Sequence, residues 1–268
     1  MSFPRKRESN TMKLKSKLII AAVFITLFCA QLISYAFNSY RAKETYLYKE
    51  KIAILKTSAR LAEYKDDKED ALKKYASLSE AHKDFLTNPV VSKKAKTKAK
   101  RRLAETQLKL GNSQEALRIC DELLSENLND KAALRVKAEA YWEQGKTLAL
   151  EGRYDEAVSL YEEVISWNIT PELTAFFKSI IANTYLQKGD TENSLLWFQN
   201  IIDEHNDLLN WPACALYRMA FIYLDNNDRD KAIGCFQLIL DKYPKSVWRE
   251  HASDMLKELN TANDKTKS

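Results

Sequence analysis

An all-α fold is predicted for this chain: a long N-terminal helical segment that begins with a membrane-crossing stretch, followed by a row of antiparallel helix pairs. Three observations predict it. Glycine and proline number only 5 each among 268 residues, so the chain is poor in turn punctuation. Hydrophobic residues at 45% and charged residues at 29% supply the two faces that amphipathic helices need. A five-point spacing of small and bulky residues returns four times beyond residue 100.

Residues 1–17 form a basic segment carrying Arg5, Lys6, Arg7, Lys13, Lys15 and Lys17. Residues 18–37 follow without a charge. At about 1.5 Å per helical residue this run matches the roughly 30 Å of a bilayer core. Arg41, Lys43, Lys49 and Lys51 lie beyond it, more diluted and mixed with Glu44 and Glu50. This bias places the N-terminus in the cytoplasm and the body outside. The length of the run favours a retained signal anchor. The alternative is a leader cleaved after Ala36, because Ser34 and Ala36 are small residues at positions that a signal peptidase reads. Met12 offers a second start that keeps a basic segment ahead of the run.

Residues 38–88 are expected to be a juxtamembrane helical region. Ile52, Leu55, Ala59 and Ala62 recur at helical spacing. Ala59, Ala62, Asp66, Ala71 and Tyr75 fit the five-point spacing as a degenerate copy. Pro89 lacks an amide donor and restricts Asn88, so the helix should break there.

Residues 89–260 carry the regular copies. They are Ala104, Gln107, Gly111, Ala116, Cys120; then Gly145, Leu148, Gly152, Ala157, Tyr161; then Ala182, Tyr185, Gly189, Ser194, Phe198; then Ala220, Tyr223, Asn227, Ala232, Phe236. The third member of each is a turn position, and the steps between turns are 41, 37 and 38 residues. Short polar residues follow the turns at Asn112-Ser113, Asp155, Asp190 and Asp228, where they can accept bonds from free helix amides. Pro171, Pro212 and Pro244 fall where one pair hands over to the next. Residues 261–268 are polar and expected to be a flexible tail.

These positions resemble those of the tetratricopeptide repeat, which places small residues where its paired helices cross and an aromatic on the second helix. The last copy carries the resemblance best, closing on Asp241-Lys242-Tyr243-Pro244. The steps exceed the usual ~34 residues, which implies longer helices or connections. Tetratricopeptide repeats imply a helix-pair solenoid that binds proteins along the concave face of its first helices. Carried onto this chain, that groove contains Arg101, Glu105, Trp142, Lys146, Ser179, Asn183, Tyr217, Phe221 and Leu224. The last repeats and the anchored layout are similar to those of bacterial envelope proteins, such as the Tol–Pal accessory coordinator and an anchored ancillary translocon subunit. The implied function is a membrane-anchored scaffold or assembly factor, single-pass in a bacterial inner membrane with a periplasmic body. A soluble periplasmic adaptor is the alternative if the leader is cleaved.

No catalytic constellation is expected. His82, His205 and His251 fall in separate segments, and no metalloprotease, nucleophile-elbow or phosphate-loop motif occurs. Asp203–Asp207 around His205 lacks a second cluster with ligand spacing and is read as a helix end. Residues 225–230 lack the glycine and closing glutamate of a calcium loop and are read as a repeat turn. No cofactor or metal is expected. The four cysteines contain no CxxC pair; Cys214 and Cys235 share one repeat, so a bond between them is a possibility left open. The net charge of +5 is concentrated at the N-terminus and between Lys93 and Arg102, which argues against a nucleic-acid binder. The 93–102 cluster is read as a solvated helix face. The expected partners are proteins or peptides.

Overall fold

The computed structural model describes the backbone of residues 5–267 and the side chains of residues 26–261. All regular structure among the described residues is helical. The chain divides into two compact units, residues 1–110 and 111–268.

The first unit contains α1 (Arg5–Tyr64), α2 (Lys68–Thr87) and α3 (Lys93–Lys109). Residues 18–25 of the expected span lie outside the described side chains. Among the described residues, no helix is long and apolar enough to cross a membrane. The lower half of α1 packs on α2 through Ile52 and Ala59 against Tyr75, Leu78 and Ala81. Ala59 is fully buried, and its small side chain lets the two helices approach closely. Between them Asp66 adopts φ 57°, and the Asp67 amide donates to the Ala62 carbonyl at 3.0 Å. The break at Pro89 is pinned to α1: Arg41 Nε donates to the Val90 carbonyl at 2.8 Å, and Asn88 Nδ2 to Glu44 Oε2 at 3.1 Å. Gln107 stands where an aromatic is common in the family. It is buried, and its amide donates to Ser79 Oγ at 3.0 Å, so the pair satisfies two polar groups inside the core.

A buried histidine couples this unit to pH. Tyr48 Oη lies 2.6 Å from His82 Nδ1, and Tyr48 stacks on Phe85 at 3.7 Å between ring centroids. Burial holds the Tyr48 hydroxyl protonated, pushing its pKa up to about 12. The hydroxyl therefore donates and His82 Nδ1 accepts, which requires a neutral ring. Burial, with Arg102 and Lys56 nearby, lowers the His82 pKa from 6.5 to about 4. The unfolded chain then binds a proton that the folded chain refuses in this window. Stability of residues 38–110 should hold above pH 6.5 and fall as pH drops from 6.5 to 4. His82→Gln should flatten that slope in urea titrations across the range; an unchanged slope would assign the effect to other groups.

The second unit contains α4 (Ser113–Glu126), α5 (Lys131–Leu150), α6 (Tyr154–Ser166), α7 (Pro171–Lys188), α8 (Thr191–Glu204), α9 (Asn210–Asp225), α10 (Arg229–Lys242) and α11 (Trp248–Lys267). The pairs are α5–α6, α7–α8 and α9–α10, and α11 packs on α9 and α10. The unit border falls inside the first copy, between Leu110 and Gly111. Helical backbone continues to Lys267, through most of the expected tail, whose side chains lie outside the described range beyond residue 261.

Each turn position holds positive φ: 79° at Gly111, 79° at Gly152, 85° at Gly189 and 59° at Asn227. In the last three, the next amide reaches back to the second member of the spacing at 2.8 Å: Arg153 to Leu148, Asp190 to Tyr185, Asp228 to Tyr223. This closes each first helix with the six-to-one bond of a left-handed C-terminal turn. The Asp67–Ala62 bond repeats that geometry in the degenerate copy.

Two of the expected helix starts differ. Asp190 and Asp228 accept from the amides of Asn193 and Lys231. At α6 the capping position is Arg153, whose guanidinium bridges Glu151 and Glu156, while Asp155 accepts from Lys188 Nζ at 2.5 Å. No side-chain cap bond forms at Asn112 either. At α6 the deviation has a plain cause: the residue at the cap, not its successor, must supply the acceptor, and the Arg153 side chain has none.

The small members of the spacing are buried where helices cross: Ala116, Ala157, Ala182, Ser194, Ala220 and Ala232 are all fully inaccessible. Tyr161, Phe198 and Phe236 fill the space beside them, and Cys120 takes that role in the first copy. The long steps come from the first helices in α5 and α7, which run 20 and 18 residues, and from the connection 205–209 ahead of the 16-residue α9. Cys214 and Cys235 are both free thiols.

Candidate protein-binding face

Helical spacing places the expected groove residues of the second unit on one face of each first helix. Trp142 and Lys146 stand four apart on α5, Ser179 and Asn183 four apart on α7, and Tyr217, Phe221 and Leu224 at spacings of four and three on α9. The structure joins them through aromatic contacts. Trp142 meets Phe176 of α7 edge-on at 5.9 Å, and Phe176 meets Trp211 of α9 at 6.0 Å. Further along, Tyr217 contacts Phe221 at 5.1 Å and Trp248 of α11 at 4.9 Å. Edge-on and tilted pairs at these distances suit the ring quadrupoles.

Exposure divides the expected residues. Phe221 is 37% exposed and offers its ring to solvent. Trp142 and Tyr217 are half-buried. Leu224 packs against the core of α9 and α10. Ser179 Oγ donates to the Phe176 carbonyl, and Asn183 Nδ2 to the Ser179 carbonyl, both at 2.7 Å. These two polar groups are thus committed to their own helix rather than aimed outward. Lys146 Nζ sits 4.9 Å over the Trp142 ring and pairs with Glu143 at 2.9 Å. Arg101 and Glu105 belong to α3 in the first unit, where Arg101 is half-buried and Glu105 exposed.

Phe176, Trp211 and Trp248 escaped the sequence reading. Phe176 lies three residues before Ser179 on the same face, and its neighbour Phe177 is core at 1% exposure. Only the helix phase separates the two. Lys178 was also passed over: its side chain is 6% exposed and its ammonium pairs with Glu204 at 2.6 Å. Among the described residues, no group of three or more His, Cys, Asp or Glu side chains could hold a metal ion.

Paired helices, small residues at each crossing, a left-handed turn after each first helix and an aromatic first-helix face define a helical repeat protein. Family models described as tetratricopeptide repeat match residues 101–172 and 215–246. These two segments of the chain are tetratricopeptide repeats, a fold that is typically non-catalytic. No curated protein matches it. Several solved structures are similar to it. The nearly identical tetratricopeptide-like repeats of a Podosopora anserina chain named for kinesin light chain are 14% identical, with TM-score 0.46, covering 72% of this chain and 94% of theirs. MamA from Desulfovibrio magneticus RS-1 is 14% identical, with TM-score 0.41, covering 74% and 94%. A thermophilic tetratricopeptide-repeat protein of Thermus thermophilus is 18% identical, with TM-score 0.41, covering 77% and 99%.

Proposed function

We propose that this chain is a non-catalytic, membrane-anchored protein-interaction module, a scaffold or assembly factor whose repeats face the periplasm of a bacterial envelope. The observation that carries the binding role is the aromatic series across the first helices of α5, α7 and α9. Half-buried Trp and Tyr side chains held rigidly by a core lose little entropy on binding, and such residues dominate interface energetics. The uncharged 18–37 run behind a basic flank supports the anchor. Its failure would leave a cleaved periplasmic adaptor beginning after Ala36, which N-terminal sequencing of the membrane fraction distinguishes.

In-cell photocrosslinking from positions 142 and 221 of the full chain should capture partner proteins. Phe221→Ala and Trp142→Ala should each weaken their recovery by about tenfold or more, the scale of a hot-spot truncation. The Phe221 ring also meets Phe236 at 6.1 Å, so its variant should melt somewhat below the parent, and recovery is compared at a temperature where both remain folded. Equal recovery in both variants would move binding off this face.

A further inference from the structure

One face of α1, about 110° round the helix from the side that packs on α2, carries an apolar row at strict seven-residue spacing: Ile33, Tyr40, Leu47, Ile54 and Leu61. All five are exposed, from 48% at Leu47 to 69% at Ile33. None takes part in the core of the first unit, which uses Tyr48, Ile52, Leu55 and Ala59 instead. A row that keeps a seven-residue repeat over four intervals drifts by ~20° per interval on a straight helix, and a left-handed partner helix follows that drift. The row supplies one apolar position per heptad, and the positions three and four residues from Leu47 are the charged Lys43, Glu44, Glu50 and Lys51, so the stripe is narrow and bordered by charge. A shallow notch lined by Leu47, Glu50, Lys51, Ile54 and Leu55 lies along the row, the kind of hollow into which an opposing side chain fits.

Charges beside the row point to the occupant. At about 100° per residue, Lys43 and Glu50 flank Leu47 on one side, and Glu44 and Lys51 on the other. A second copy running parallel brings Glu44 to Lys43 and Lys51 to Glu50 of its partner. A copy running antiparallel about Leu47 brings Glu44 to Lys51 and Lys43 to Glu50. Unlike charges meet in either direction, so the flanks are complementary to themselves. Glu44 is already oriented by the bond from Asn88. We infer that α1 self-associates through the Tyr40–Leu47–Ile54–Leu61 row, with a second copy of this chain as the occupant.

The full chain, purified in a mild detergent, should have the mass of an oligomer by light scattering after the micelle is subtracted. Leu47→Cys in a Cys29→Ser background should form an intermolecular disulfide under mild oxidation, because residue 47 meets itself in both directions. Lys49→Cys, which is exposed and ~200° away around the helix, should not. The double variant Leu47→Asp, Ile54→Asp places like charges on the seam and should weaken association by at least about tenfold. Its circular dichroism should match the parent, since both side chains are exposed. A monomer at all concentrations would overturn the inference and leave lipid or another protein as what covers the row. Equal crosslinking at positions 47 and 49 would overturn it as well. Neither result bears on partner capture from positions 142 and 221, so the two proposals fail separately.

Discussion

Phe236→Ala is expected to lower the unfolding free energy of the second unit by about 3–5 kcal/mol, the cost of emptying a fully buried aromatic site. Phe236 has no accessible surface and belongs to the cluster that includes Phe198, Leu216, Met219 and Ile239. Its ring also meets Tyr217 at 5.7 Å and Phe221 at 6.1 Å. The hole would therefore undermine two members of the proposed binding face. In a repeat array, stability is a sum of local terms and nearest-neighbour contacts. The loss should stay near α9–α11 rather than spread. Hydrogen exchange should accelerate there first while α5 and α6 keep their protection. A uniform loss of protection from α4 to α11 would show that the unit melts as one cooperative body.

Gly145→Ala is expected to destabilise by about 1–3 kcal/mol, although alanine is the better helix former by ~1 kcal/mol. A Cβ at this position in α5 would collide with the Tyr161 ring and stand 2.5 Å from its hydroxyl oxygen. Tyr161 is 1% exposed, and its hydroxyl donates to the Trp142 carbonyl at 3.5 Å, so the ring cannot swing away. Gly234 in α10 is the control: a Cβ there meets nothing within 4 Å. Gly234→Ala should stabilise by about 0.5–1 kcal/mol through propensity alone. Opposite signs in chemical denaturation would separate packing from propensity. A gain at both sites would mean that α5 and α6 shift apart at little cost.

The crossing residues and turn positions were legible because sterics leave few alternatives. Ala182 and Ala220 stand where backbones must approach, and a residue that tolerates positive φ must follow each first helix. The binding face was legible only in part. A helix phase error of one residue exchanges face for core, as Phe176 and Phe177 illustrate. The partners of Ser179 and Asn183 could not be read from spacing, because a short polar side chain in a helix can bond the preceding carbonyl as readily as a ligand. Lys178 was invisible for another reason: lysines are almost always exposed, and only the fold brings Glu204 to it. The buried partner of Gln107 was equally illegible, because only the fold brings Ser79, 28 residues away, to its amide.

The end of the array is fastened differently from the rest. A chain of helix pairs that contact only their neighbours unzips from its last helix when pulled from that end. Asn210, the first residue of α9, holds the connection into α11: its Oδ1 accepts from Ser246 Oγ and from the Val247 amide, both at 3.2 Å. Ser246 Oγ in turn accepts from the Trp248 amide, and Trp248 rests on Tyr217. Peeling α11 must therefore break these bonds at α9 as well as its packing along α10. The clasp ties the last helix to a side chain 36 residues upstream of the segment it restrains, so α11 is held by two neighbouring helices instead of one.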